Sequence, residues 1–249
     1  MGNYKERFPG NGFVTRVRYW GRNLRYREIF RVLQQYCAGD VIDVGGGSFI
    51  KTVLQAKVPF TTWTVLEPSS VDLPDIDDVR VNCIVGDGCA MTQQDGEFDV
   101  AVSMQVLEHV FNPMQMMQEL HRVVKVGGYI VVVVPQTANI HHLPHHYQNV
   151  TRYWLEKSAE ELGAKIVHYT ALGGAWSTLA SRLLLQYPGI FGANGYRDSR
   201  ISRSPLFWLL LPLGIMVSVI TIPIFMLLSL ADIKEEANNH VMVLQKLAP

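Results

Sequence analysis

Val41-Ile42-Asp43-Val44-Gly45-Gly46-Gly47-Ser48-Phe49 runs an apolar, β-branched stretch straight into three glycines, and Ile50 to Lys57 then reads as a helix. A short apolar run bounded by glycine predicts a buried parallel strand. Glycine lets the backbone turn tightly and lets a ligand approach the main chain. The first N–H groups of the following helix lack intrahelical partners. Strand, glycine turn and helix start together describe a cofactor cradle.

The flanking sequence supplies a sheet for this cradle. Thr62–Leu66, Val81–Val85, Phe98–Val102 and Tyr129–Val134 are further β-rich runs, and Pro113–Val124 reads as a helix before the last of them. Apolar strands alternating with helices predict a parallel sheet covered on both faces. Upstream, residues 14–38 predict a helix that buries Leu24, Ile29, Phe30, Leu33 and Tyr36 and stops at Gly39-Asp40. Ser103–His109 reads as a loop or short helix, and Gln136–Asn149 as a polar loop above the strand ends. Thr151 caps a predicted helix that Gly163 ends, Ala164–Thr170 is a sixth strand, Ser177–Gln186 is helical, and His240–Leu247 is a last strand.

The chain has 249 residues, with 22 Lys and Arg balancing 22 Asp and Glu. That length suits one α/β domain, and the neutral balance gives no reason to expect nucleic acid. Cys37, Cys83 and Cys89 lack CxxC spacing and read as reduced packing residues rather than a disulfide framework or zinc site. The N-terminal stretch is polar, without the apolar region of a signal peptide, so the core is expected to face the cytoplasm. Lys5, Arg7, Arg16, Arg18, Arg22, Arg25, Arg27 and Arg31 meet only Glu6 and Glu28, with aromatic residues interleaved. This pattern reads either as a solvated leader helix or as a surface for anionic headgroups.

At the cradle the spacing is Asp-x-Gly-x-Gly, neither GxGxxG nor GxxxxGK[ST]. Asp43 would stand where a dinucleotide's pyrophosphate must pass, which favours a cofactor with a cationic, amino-acid-like end. Glu67, ending the second strand, is placed to accept from two ribose hydroxyls. Asp87 after the third could accept from an adenine amine, with Gly88 and Cys89 offering backbone N–H groups. Each carboxylate alone is also explained as a loop cap.

These stretches resemble the class I S-adenosylmethionine-dependent methyltransferases, of the type 11-like kind. Val41–Gly47 is similar to their first motif, Val65–Glu67 to their ribose-binding motif and Gly86-Asp87-Gly88 to their adenine turn. Phe98–Ser103 with Val106–Val110 resembles the fourth motif, and Leu120–Gly128 the helix and turn before strand five. Phe49 departs from the pattern, since many members carry a third glycine there. The resemblance implies an α/β, Rossmann-like, seven-stranded sheet of order 3-2-1-4-5-7-6 with the last strand antiparallel. It implies S-adenosyl-L-methionine as cofactor, held by Asp43, Gly45, Gly46, Gly47, Glu67, Asp87, Gly88 and Cys89, with Ser103, Met104 and Gln105 near the sulfonium. Methyl transfer is a displacement at an activated carbon, so the enzyme mainly aligns a nucleophile and takes its proton.

Two histidines are candidates for that proton: His145 first, then His109. Glu108-His109 equally reads as a brace for the next helix. His141, His142, His145 and His146 make half of the chain's eight histidines. Such a cluster suits a transition metal, but no cysteine or nearby carboxylate completes it along the sequence. Gln105 stands where metal-binding quinone methyltransferases carry an acid, so no metal is expected. Pro144–Tyr147 with Thr151–Leu155 looks like a signature of bacterial methyltransferases of surface-polysaccharide and glycolipid pathways. His146 and Asn149 depart from it, which leaves the acceptor open.

Leu206–Ala231 carries no charged residue over twenty-six positions. About 20 apolar residues span a bilayer as a helix. Pro212 and Pro223 should kink it, and Arg197, Arg200 and Arg203 precede it as on the cytoplasmic side of an anchor. If the last strand returns to the sheet, both ends of this segment lie on one side. A re-entrant or interfacial, monotopic segment is therefore expected, and a single-pass span is the alternative.

The expected organisation is a basic amphipathic segment (1–38), a cofactor-binding core (39–171), a basic connector (172–205), an apolar membrane-associating insertion (206–231) and a closing strand (232–249). The expected function is methyl transfer, at the cytoplasmic membrane face, to a hydroxyl of a lipid-linked sugar, glycolipid or similar amphipathic acceptor. The alternatives are a methyltransferase of a quinone-like lipophilic molecule and an inactive membrane-bound scaffold. The sequence leaves the oligomeric state open.

Overall fold

The computed structural model describes residues 27–190 and 203–248. Leu24, most of the basic leader, Arg197 and Arg200 lie outside them. Residues 27–36 form helix α1. The order then is β1 (Gly39–Val44), a 3-10 turn (Gly47–Phe49), α2 (Ile50–Gln55), β2 (Phe60–Glu67), β3 (Val81–Val85), β4 (Phe98–Met104), a second 3-10 turn (Leu107–His109), α3 (Pro113–Val123) and β5 (Val124–Pro135). There follow α4 (Arg152–Glu161), β6 (Lys165–Leu172), α5 (Ala175–Ile190), α6 (Pro205–Leu228) and β7 (Asn239–Gln245).

The seven strands pair in the order β3-β2-β1-β4-β5-β7-β6. β7 runs antiparallel to both β5 and β6, and the remaining pairs are parallel. The expected fold is the observed one. Successive side chains face opposite sides and both sides are covered, so the strands read as unbroken apolar runs. Ile42, Ala101, Ile130 and Val132 pack beneath α3 and α4, against Met116, Leu120 and Leu155. Their neighbours Val41, Val100, Val131 and Val133 point the other way, against Leu33 of α1 and Ile50 and Val53 of α2. Ile29 and Leu33 are buried as expected, while Phe30 and Tyr36 are only partly so. Thr151 does cap α4, accepting from the Trp154 N–H at 3.3 Å. The three cysteines are unpaired thiols.

Register fixes where the termini of β6 and β7 lie. Asn239 stands opposite both Pro135 at the end of β5 and Leu172 at the end of β6. The chain therefore leaves β6 and re-enters β7 at the sheet edge where β1, β2 and β4 also end. Between those points α5 and α6 pack on each other, with Trp176 and Phe225 stacked at 5.9 Å. The apolar segment is thus one arm of a two-helix excursion, not an excursion complete in itself. It is also not broken by its prolines: α6 continues through Pro212 and Pro223 for 24 residues, about 36 Å at 1.5 Å per residue. Ser204 caps its start, accepting from the Phe207 N–H at 3.2 Å, and Pro205 occupies a first-turn position where no N–H is needed. Ser218 is the one buried residue of α6.

A carboxylate closes the base of the excursion. Asp232 accepts from the N–H groups of Trp176 at 2.8 Å and Ser177 at 3.3 Å, satisfying the first turn of α5 from a residue that follows α6. The Ala175 N–H donates to the Ile233 carbonyl beside it, at 3.1 Å. Asp232→Ala is expected to lower unfolding free energy by about 1 kcal/mol. A denaturation midpoint unchanged from the parent would show that the clamp contributes nothing.

Candidate active site

The turn after β1 is closed by contacts that leave no room for side chains at Gly45 and Gly46. Gly45, at φ +78°, is in the left-handed region, and a Cβ there would stand 2.7 Å from Val106. A Cβ on Gly46 would collide with the Asp43 carboxylate, which lies directly beneath. Asp43 is fully buried; Trp63 Nε1–H donates to its Oδ2 at 3.3 Å, and its Oδ1 has no partner among the described residues. Burial pushes its carboxyl up to about 7; the Trp63 bond pulls the other way and the Glu67 charge adds to the rise.

Glu67 ends β2 beside this turn and accepts the Gly47 N–H. Burial raises its carboxyl above the ordinary value, against the pull of that bond. Gly88, after β3, lies so near β1 that a Cβ would stand 2.7 Å from Val44. The Cys89 N–H, expected to be available to a ligand ring, instead donates to Asp87 Oδ1 at 2.8 Å, so part of the Asp87 carboxylate is spent on its own turn. Ser103 is fully buried with its Oγ unpartnered, Met104 is partly buried, and Gln105 takes φ +59° and bonds Asn239 at 3.1 Å. The glycines, the three strand-end carboxylates (Asp43, Glu67, Asp87) and the Ser103–Gln105 strand end thus converge on one edge of the sheet.

The 3-10 turn after β4 lies beside this edge, and the loop 136–149 is tied to it. Tyr147 N–H donates to the Glu108 carbonyl at 2.9 Å and Gln148 Nε2 to the Leu107 carbonyl at 3.0 Å. The loop is also tied to the helical excursion. Arg182 of α5 donates to the Thr137 carbonyl at 3.1 Å, and the Thr137 and Thr178 hydroxyls lie 3.4 Å apart. His109 and His145 meet through the backbone rather than ring to ring: His109 Nδ1–H donates to the His145 carbonyl at 2.6 Å. The His145 ring bonds the Tyr147 hydroxyl at 3.0 Å. Burial, then the nearby His141, His142 and His146, lower His109 to about 4, so its ring is neutral at pH 7.

One reading of the sequence is corrected here. A carboxylate does stand beside the histidine loop: Glu108 is fully buried, neither oxygen has a hydrogen-bond partner among the described residues, and Oε1 lies 3.8 Å from His109 Nε2. Residue order hides the cluster itself, because His109 and His141 are brought together, with ring centroids 4.6 Å apart, only by the return of the chain after β5. Trp63 was equally hidden; a tryptophan within a strand carries no spacing signal for the acid it will reach.

Residues 42–132 match the family model described as a methyltransferase domain. This core is a methyltransferase domain. Its methyl donor is S-adenosylmethionine, and the residues fit it: the glycine cradle is one that side chains would fill, and the unpartnered oxygen of Asp43 suits a ligand bearing positive charge. No curated protein sequence matches the chain. Among solved structures, a chain from the complex of the Haloferax volcanii Trm112 methyltransferase activator with a methyltransferase is similar at 12% identity, with TM-score 0.59 over 94% of this chain and 92% of that one. Phosphoethanolamine N-methyltransferase 2 of Haemonchus contortus, in complex with S-adenosyl-L-methionine, is similar at 15% identity, with TM-score 0.56 over 91% of this chain and 53% of that one. The [4+2]-cyclase SpnF is similar at 17% identity, with TM-score 0.55 over 89% of this chain and 82% of that one. Likeness at this distance shows a shared fold, and one fold hosts several chemistries.

Asp43 gives this methyltransferase domain a pH signature. With its carboxyl raised to about 7, the folded chain holds a proton that the unfolded chain has released above about pH 4. The folded state binds more protons between those values, so stability of the cofactor-free protein falls as pH rises from about 4 to 7. Asp43→Asn is expected to remove that contribution. It should stabilise the cofactor-free protein by about 1–3 kcal/mol at pH 8 and leave it nearly unchanged at pH 4. Urea unfolding at the two pH values, with equal shifts at both, would contradict this.

Proposed function

We propose that the chain methylates a hydroxyl of a lipid-linked sugar, glycolipid or similar amphipathic acceptor at the cytoplasmic face of a membrane. The observation that carries this is the helical excursion. α6 is apolar all round and exposed along its length, with Leu209 at 74%, Val219 at 67% and Leu227 at 68% exposure. A helix of that kind in water leaves a large apolar surface uncovered. At about 36 Å it exceeds the roughly 30 Å hydrocarbon core of a bilayer. Because α5 accompanies it out from the sheet, an excursion that enters and returns is favoured over a single pass. The excursion begins at the edge carrying Gly45–Gly47, Glu67 and the 136–149 loop, so a bilayer around it would present headgroups to that edge. The basic leader and Arg197–Arg203 would add attraction to anionic lipid.

The cofactor supplies a methyl group on a sulfonium that leaves as a neutral thioether. Asp43 and the Gly45–Gly47 backbone would hold its amino-acid end, and the Glu67 oxygen not bound to Gly47 the ribose. Asp87 and Gly88 would border the adenine, and Ser103 to Gln105 the reacting carbon. His145 is the proposed base: its ring is exposed and oriented by Tyr147. His109, weakly basic and bonded to the His145 carbonyl, is the poorer proton acceptor.

Labelled S-adenosylmethionine and membrane lipid extract should together place label in an organic-soluble acceptor. Label confined to quinone-like molecules would favour that acceptor class, and failure to bind the cofactor would favour an inactive scaffold. His145→Ala should reduce transfer by about 10²–10⁴-fold with cofactor affinity unchanged; parental turnover would remove His145 from the mechanism. Leu209→Asp with Val219→Asp should abolish flotation with anionic vesicles, and undiminished flotation would detach the excursion from membrane binding.

A further inference from the structure

His109, His141 and His142 are not needed to hold the methyl donor, yet their geometry is that of a ligand set. His109, His141 and His142 each offer a nitrogen, and these atoms lie within 4.8 Å of one another. Their ring centroids stand 4.6 Å apart for His109 and His141, 5.0 Å for His109 and His142, and 5.3 Å for His141 and His142. Three imidazoles so close cannot all be cationic without strong repulsion, whereas one cation between them could be shared by all three.

Three further features point to a cation. The first is Glu108, a fully buried carboxylate with no hydrogen-bond partner among the described residues, placed 3.8 Å from His109 Nε2. An isolated buried carboxylate is costly unless something positive meets it. The second is tautomer control. His109 Nδ1–H donates to the His145 carbonyl at 2.6 Å, and His141 Nδ1 lies 2.8 Å from the Asn139 carbonyl, a pure acceptor. Both rings therefore carry their lone pair on Nε2, the arrangement by which backbone carbonyls orient metal-binding histidines. The third is His142 itself, held at φ +51°. A non-glycine residue in that region is strained, and such strain gathers at functional sites.

We infer that His109, His141 and His142, with Glu108, form a binding site for a divalent transition metal of the zinc class. Imidazole nitrogens and a carboxylate suit zinc, with bonds of about 2.0–2.2 Å. Tetrahedral nitrogens at that bond length are about 3.4 Å apart, so the site closes through ring rotation and a small inward shift of the 136–149 loop. His146 Nδ1, 3.1 Å from His141 Nδ1, braces His141 rather than completing the set. A role for the metal rests on the proposed function: the acceptor hydroxyl would join it as a fifth ligand. The bound hydroxyl would give its proton to His145, and the oxygen would then form its bond to the methyl carbon as the carbon–sulfur bond breaks.

The test is titration of the full-length protein, without a histidine tag and stripped by chelator, with Zn²⁺ alone. One equivalent should bind, and Co²⁺ in its place should give the visible absorption of a four-coordinate ion. His141→Ala and His142→Ala should each weaken binding by about 100-fold or more. His168→Ala, on β6 and outside the cluster, should bind as the parent does, with cofactor affinity reporting that each variant is folded. Absence of saturable binding, or parental affinity in both cluster variants, would overturn the site. Metal binding without transfer to any lipid would sink the functional reading and leave the site standing; transfer without metal binding would do the reverse.

Discussion

β7 is inserted between β5 and β6 and runs against both. A strand in that position obliges the chain to leave the sheet and return to it at the same edge. Everything between β6 and β7 must then be an excursion with adjacent feet. Here the feet are joined by Asp232 and Ile233, which supply the acceptors that the first turn of α5 needs. The edge in question is also where the parallel strands end, and where helix starts, glycine turns and strand-end carboxylates gather in open α/β sheets. Topology alone therefore sets the excursion beside the candidate methyl-donor site.

The core was legible because its signals are local. Val41–Val44 and the valine run of β5 are buried, with neighbours facing opposite sides of the sheet, so burial writes itself into consecutive residues. Thr151 and the glycines that turn the backbone act within a few positions of themselves. The edges of elements were less legible: β2 and β6 each extend beyond the expected strand because pairing with a neighbour, not composition, decides where a strand stops.

The candidate site drew its carboxylates from the sequence, while their tertiary partners were illegible there. Asp43, Glu67 and Asp87 mark strand ends that any reader of the pattern would find. That Trp63 reaches Asp43 depends on the register in which β2 lies beside β1, which no residue near either position announces. The excursion was legible only in half. α6 announces itself by uniform apolarity, whereas α5, with Arg182 and several hydroxyls, reads as an ordinary helix until its partner is seen. Arg182 is informative: its guanidinium bonds the Thr137 carbonyl, so the polar feature that disguises α5 is the one that fastens it to the site.

Gly46 and Asp43 share a further property. A Cβ on Gly46 would occupy the volume already taken by the Asp43 carboxylate. The two positions are therefore mutually exclusive in bulk: any larger residue at 46 is admissible only with a displaced or shorter side chain at 43, and the shorter one removes the negative charge below the turn. Alanine at 46 would require the Asp43 carboxylate to move aside or be lost. The absent methyl group acts as a ratchet that holds the charge in place.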